Sequence, residues 1–282
     1  MFKIRQEFFQ KDYVLLRNYL SSSVMNLLYD EYIGLIKRAN HILEYTIKKN
    51  IPLNQFYKNH LDELIVVPEA ADRFNICRFE YIAGFSKNIN SCVVTKVKKL
   101  INNLMGKPFV LFKDKCNIKR PGGGAFAPHQ DISAYYHFKP KFYLTAAIML
   151  DDSNIKNGCL EMATGYKNNT YENSGYINNE YGNFPFFDFY RGGNRNGDIK
   201  DEVSNKLNWE IIEANKGDII IFNAFIPHRS KVNLSNNHRR NLFFTFNPES
   251  DGDFYQEYFS LKRADFGNPM FHISTPTLHN NG

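Results

Sequence analysis

The stretch KGDIIIFNAFIPHRS, residues 216–230, sets the reading of the whole chain. Lys216-Gly217-Asp218 is a turn, residues 219–222 form a β-branched and aromatic run of strand length, and Pro227 closes the stretch just before His228. Working outward, FVLFKD (109–114), KCNIK (115–119), FYLTAAIML (142–150), GCLEMA (158–163), WEIIEA (209–214) and RNLFFTF (240–246) are runs of the same kind. They are separated by turn-formers such as Gly122-Gly123-Gly124 and Asn157-Gly158. Many short strands with tight turns predict an all-β sandwich or barrel.

The residues before position 109 read differently. Ser21 to Ser23 offer helix caps, and Val24, Leu27, Leu28, Leu35, Ile36, Ile42 and Leu43 recur at helical spacing up to Asn50. A second helix is expected from about Ser91, with Val93, Val94, Val97, Leu100, Ile101 and Leu104 on one face and Gly106 and Pro108 at its end. The layout is therefore mainly β with α: a helical buttress (1–108), a β core (109–250) and a C-terminal extension (251–282). No linker divides it, so one domain is expected over residues 1–282. Residues 166–208, rich in Asn, Tyr and Gly, are too long for an ordinary strand connection. They are expected to form a functional loop or lid, or a disordered insertion.

Composition limits the function classes. The 282 residues include 25 Phe and 17 Tyr, enough aromatic side chain to build a core. A net charge of +6 fits an anionic ligand but lacks the dense basic blocks of a nucleic-acid binder. No apolar window reaches membrane-spanning length, and charges interrupt the start of the chain, so neither membrane nor signal peptide is expected. Cys77, Cys92, Cys116 and Cys159 form no C-x-x-C pair, which predicts neither a thiolate zinc site nor a disulfide framework, and a reducing, cytoplasmic setting.

The chemistry-bearing residues lie in GGGAFAPHQDISAYYHF, where His129 and Asp131 stand two apart. On an extended strand both side chains point to one face and can hold one ion. His228 supplies a second imidazole. Two His and one carboxylate occupy one face of an octahedron, the ligand set of non-haem Fe(II), and leave positions open for a cosubstrate and O2. Arg239, eleven residues past His228, opens another strand and can clamp a carboxylate with two parallel hydrogen bonds. Ser230 adds a hydroxyl to the same end.

Together HQD, NGCLEMATG, GDIIIFNAFIPHRS and NLSNNHRRNLFFTF resemble the phytanoyl-CoA hydroxylase-like (PhyH) family of Fe(II)/2-oxoglutarate-dependent dioxygenases, over roughly residues 109–248. The resemblance implies a double-stranded β-helix, or jelly-roll (cupin-like), core with an N-terminal helical layer. It implies His129, Asp131 and His228 as iron ligands and Arg239, not Arg240, as the partner of the far carboxylate of 2-oxoglutarate. Asn117, Lys119 and Phe126 match positions beside that cosubstrate. The implied reaction hydroxylates or otherwise oxidises a C–H bond of a small polar metabolite, with release of succinate and CO2. Halogenating relatives carry a small residue where Asp131 stands, so the carboxylate favours hydroxylation.

Three places offer substrate contacts. Arg78 and Glu80 alternate with apolar residues in NICRFEYI; Tyr135, Tyr136 and His137 follow the H-x-D motif; Arg191 and Arg195 lie on the insertion and suit an anion. An oxygenase of protein or nucleic acid, and a catalytically inactive jelly-roll binding protein, are the alternatives. The modest charge opposes the first, and the complete ligand set opposes the second.

Overall fold

The computed structural model describes residues 1–69, 72–171 and 174–273. Among these residues the strands in chain order are β1 (Tyr13–Leu16), β2 (Ile65–Pro68), β3 (Ile76–Glu80), β4 (Phe109–Lys119), β5 (Phe126–His129), β6 (Leu144–Met149) and β7 (Leu160–Thr164). They continue with β8 (Gly175–Asn179), β9 (Gly182–Phe186), β10 (Asn208–Ile212), β11 (Ile219–Asn223), β12 (His228–Ser230) and β13 (Arg239–Pro248).

Seven strands make a large antiparallel sheet in the order β1-β11-β6-β13-β4-β3-β2. Four make a smaller one, β10-β7-β12-β5. The non-sequential order of both sheets is that of a double-stranded β-helix, as expected from the sequence. β11, the IIIFN run, is buried at every residue because β1 and β6 flank it and both of its faces are covered. Its uninterrupted apolar run therefore carries no period-two signal.

The helical layer packs on the outer face of the large sheet. Helix Ser22–Lys49 buries Met25, Leu28, Tyr32, Leu35, Ala39 and Ile42 in one stripe, and Asn50, left-handed at φ 53°, ends it. Helix Thr95–Met105 buries Val97, Leu100, Ile101 and Leu104. It stops at Gly106, whose φ of 73° needs no Cβ.

The structure corrects the description of residues 1–108 as a helical buttress alone. β1 forms one edge of the large sheet, and β2 with β3 forms the other. β1 is only four residues long and pairs with β11 far along the chain, and β2 is four residues that pair with the neighbouring β3, so local pattern marks both weakly, whereas β3 carries the alternation of NICRFEYI. The described residues of the insertion fold too: β8 and β9 form a hairpin whose Phe184 stacks on Phe225 with centroids 4.6 Å apart. In the C-terminal extension, helix Tyr255–Ala264 buries Tyr258, Phe259, Lys262 and Arg263.

Candidate active site

β5 ends at His129 and β12 begins at His228, and the register places the two opposite one another in the small sheet. Asp131 follows at the start of the short helix Ile132–Tyr135. The ligand atoms of the three side chains lie within 4.8 Å of one another, and Asp131 Oδ1 is 3.9 Å from Nε2 of each histidine. All three residues are buried.

Each imidazole is oriented by the backbone. Nδ1 of His129 donates to the carbonyl of Ala127 at 2.8 Å, and Nδ1 of His228 to that of Ile226 at 3.1 Å. In that tautomer both Nε2 lone pairs face the point shared with Asp131. Burial, reinforced by His228, pushes His129 down to about 3, and burial pushes His228 down as well. Burial opposes the charge on Asp131, but Lys115, His228, His129 and Lys113 hold its carboxyl at about 2. Two neutral imidazoles and one carboxylate at neutral pH are a donor set ready for a divalent ion without proton release.

Gln130, between two of these residues, fastens the motif. Its amide nitrogen donates to the carbonyls of Pro185 and Phe225 at 2.9 and 2.5 Å, and its oxygen accepts from the Phe187 amide at 2.9 Å. One side chain thus ties the insertion and the segment before His228 to the H-x-D turn.

A cavity of about 40 Å³ opens from the triad between the two sheets. Period-two alternation brings Lys113, Lys115, Asn117 and Lys119 of β4 to one face. Across β13 they oppose Thr245, Phe243, Asn241 and Arg239, and across β3 Asn117 opposes Arg78.

Arg239 is buried and lines the cavity, yet its Nε and Nη1 have no hydrogen-bond partner; Asn117 Oδ1 and both amide atoms of Asn241 are likewise unpartnered. Burial pushes the guanidinium down to about 10. Buried groups left unsatisfied are costly, so this end suits an anionic ligand that completes them. Ser230 lines the same end and accepts from Lys119 Nζ at 2.7 Å, which leaves its own proton to donate. Lys119 also bonds the carbonyl of Lys231, and Phe126 completes the wall. Arg240 faces away, bound to Asp151 at 2.6 and 2.7 Å.

Of the substrate candidates, Arg78 and Tyr135 line the cavity. Glu80 sits behind it, fully buried, 2.8 Å from Lys262 and 2.9 Å from Arg78. His137 and Arg191 are exposed and outside the lining, as is Arg195, which pairs with Asp201. Sequence reading missed Lys113, Lys115, Phe243, Tyr258 and Phe271, all of which line the cavity. Extending the period of Asn117 and Lys119 back along FKDKCNIK points to both lysines.

Residues 52–241 match the model of the family described as Phytanoyl-CoA dioxygenase (PhyH). The chain belongs to the PhyH family. This PhyH chain is 34% identical over 193 residues to a 2-aminoethylphosphonate dioxygenase from the uncultured bacterium HF130_AEPn_1, covering 68% of the chain and 66% of that protein. It is 32% identical over 190 residues to a methylphosphonate hydroxylase of Gimesia maris, covering 67% and 65%. Both matches span slightly less than two thirds of the relatives' length. In fold, this PhyH chain resembles the crystal structure of EctD from S. alaskensis with 2-oxoglutarate and 5-hydroxyectoine. The TM-score is 0.64 at 15% identity, covering 88% of this chain and 76% of that one. It also resembles the epimerase SnoN in complex with Fe3+, alpha ketoglutarate and nogalamycin RO, at TM-score 0.60 and 15% identity, over 90% and 88%.

Proposed function

We propose that the chain is an Fe(II)- and 2-oxoglutarate-dependent dioxygenase, a single domain over residues 1–282. It hydroxylates, or otherwise oxidises, a C–H bond of a small anionic molecule of the phosphonate kind and releases succinate and CO2. The observation that carries this reading is the pairing of a complete His129–Asp131–His228 donor set with an unpartnered buried guanidinium, Arg239, at the far end of one cavity. His129, Asp131 and His228 would hold the iron. Bound there, Fe(II) with 2-oxoglutarate and O2 supplies the oxidising power that removes hydrogen from an unactivated carbon.

The protein's part is placement and shielding. Arg239, whose guanidinium has no acceptor within the described residues, binds the far carboxylate of the cosubstrate, Ser230 donates to the same carboxylate, and Asn117 and Phe126 fix its flank. Lys119 holds Ser230 in place. The walls between the sheets keep bulk water from the triad, and Phe271 and Ile273 of the C-terminal segment close one side. Arg78, Lys113 and Lys115 give the remaining space a positive character suited to an anionic substrate, and the two relatives are named for phosphonates. The enclosure opposes a macromolecular substrate. All four cysteines are free, which fits the proposed cytoplasmic setting, and among the described residues no helix is long and apolar enough to cross a membrane.

Anaerobic titration of the protein with Fe(II) and 2-oxoglutarate is expected to give a metal-to-ligand absorption band, and exposure to O2 with a phosphonate is expected to yield succinate. Absence of the band would refute the assignment.

A further inference from the structure

The cavity has two cationic ends, and only one is used by the cosubstrate reading. Along β4, Lys119 beside Arg239 and Lys113 are six residues apart, roughly 20 Å of strand. The Lys113 end gathers Arg78, Lys113 and Lys115, with the Tyr258 hydroxyl accepting from Lys113 Nζ at 2.8 Å.

Their counter-charges are already engaged. Among the described residues lining the cavity, Asp131 is the only carboxylate, and it belongs to the metal triad. Glu80 lies behind the wall between Lys262 and Arg78. Asp114 accepts from the Ile82 and Ala83 amides and the Tyr255 hydroxyl.

A positively charged ligand group could instead settle on an aromatic face. Here each aromatic ring of the lining has a lysine of this chain over it. Lys113 lies 5.4 Å from the Tyr135 ring and 4.8 Å from that of Tyr258, and Lys115 lies 5.2 Å from Phe243. Lys119 lies 5.4 Å from Phe126, and Lys262 lies 5.8 Å from Phe271. An ammonium group entering this space meets the like charges of Arg78, Lys113 and Lys115, and the unpartnered acceptor on the lining, Asn117 Oδ1, is neutral and does not offset them, an arrangement that rejects a cationic ligand.

We propose that Arg78, Lys113 and Lys115 form a cradle for a doubly charged tetrahedral anion, which admits a short alkylphosphonate and rejects its ω-amino homologue. The substrate would then resemble that of the methylphosphonate hydroxylase relative rather than that of the 2-aminoethylphosphonate dioxygenase. Ala134, Phe243 and Ile273 supply apolar wall for the alkyl carbon to be oxidised. The proposal rests on the dioxygenase reading for the reaction but not for the binding.

Titration calorimetry on the full chain tests it, without metal and then anaerobically with Fe(II) and 2-oxoglutarate. The ligands are ethylphosphonate, 2-aminoethylphosphonate and ethanesulfonate, a singly charged shape analogue. Ethylphosphonate is expected to bind at least tenfold more tightly than either of the others. Equal or tighter binding of 2-aminoethylphosphonate, or no phosphonate binding in either state, overturns the cradle. If the iron band forms in that case, the dioxygenase reading stands alone. If the band fails while the discrimination persists, the cradle stands and the dioxygenase reading falls. Lys115, which is half-buried, gives the variants. Lys115→Gln is expected to weaken ethylphosphonate binding about tenfold, and Lys115→Glu to shift the preference toward the amine. An unchanged preference in folded Lys115→Glu removes Lys115 from the cradle. Should that variant not fold, the wild-type ligand series decides.

Discussion

His129 and His228 face one another as a Cα pair across β5 and β12, with ring centroids 4.2 Å apart. A strand pair holds the two imidazoles in register, and Asp131 joins them from the turn that follows. His228→Ala leaves two donors and is expected to abolish the Fe(II)/2-oxoglutarate band, and Asp131→Ala is expected to do the same. Since both Nε2 atoms are already aimed by backbone carbonyls, metal loading should leave the fold unchanged, as circular dichroism before and after Fe(II) addition would show. Retention of stoichiometric Fe(II) by His228→Ala would remove that residue from the ligand set.

Arg239 presents the reverse situation, a buried cation with donors and no acceptor. In Arg239→Met the 2-oxoglutarate requirement should rise ~10–100-fold, the equivalent of losing a charge-assisted pair worth about 1.5–3 kcal/mol, while Fe(II) binding persists. The ligand-free protein should be no less stable than wild type, because an uncompensated charge has been exchanged for an apolar chain of similar length. Arg239→Lys should recover little, having lost the two-pronged geometry. A thermal melt and a cosubstrate titration check both halves, and equal 2-oxoglutarate affinity in Arg239→Met and wild type would refute the clamp.

Glu80 and Lys262 form a fully buried pair at 2.8 Å that ties β3 to the C-terminal helix, and Lys262 also donates to the Phe271 carbonyl beside the cavity. Burial opposes the carboxylate, yet Lys262, Lys113 and Arg78 hold it well below its usual range. Lys262→Met leaves the carboxylate with Arg78 as its remaining ion-pair partner and removes its one hydrogen-bonded cation, and is expected to cost about 3 kcal/mol in denaturant unfolding. Glu80→Gln combined with Lys262→Met should regain a large part of the loss. If the double variant were as unstable as the single one, packing rather than charge pairing would explain the cost.

How legible the molecule is from sequence depends on whether partners lie close along the chain or on a recognised spacing. The helix Ser22–Lys49 is visible because its buried stripe is local. His129, Asp131, His228 and Arg239 are visible because the spacing of a whole motif stands behind them. β1 is not: YVLL is four residues whose pairing partner is β11. Lys113 and Lys115 are hidden for another reason. Charged residues in a strand ordinarily mark a solvated face, and only the covering of β4 on both sides turns that face into a cavity wall. Glu80 illustrates the limit of alternation: it shares a strand face with Arg78, but ends in an ion pair behind the wall rather than at a substrate.

Acid should destabilise the metal-free protein through the buried His129 and the half-buried His272. Burial pushes His129 to about 3, and burial together with Lys262 and Arg78 pushes His272 to about 3. Unfolded histidine titrates near 6.5, so between these values the unfolded chain binds more protons than the native one, and stability falls as pH drops from about 6.5 towards 3. At pH 5.5 each such imidazole should cost ~1.3 kcal/mol relative to pH 7. Asp114, pushed up to about 6 chiefly by burial, works in the opposite sense, since its native form gains the proton first. The wild-type slope is therefore a sum, and a difference isolates the histidine part. Urea midpoints of wild type and His272→Asn measured from pH 7.5 to 5 should converge as the pH falls, because the variant lacks one group that the unfolded chain protonates preferentially. Parallel midpoints over that range would show that His272 titrates normally in the folded state.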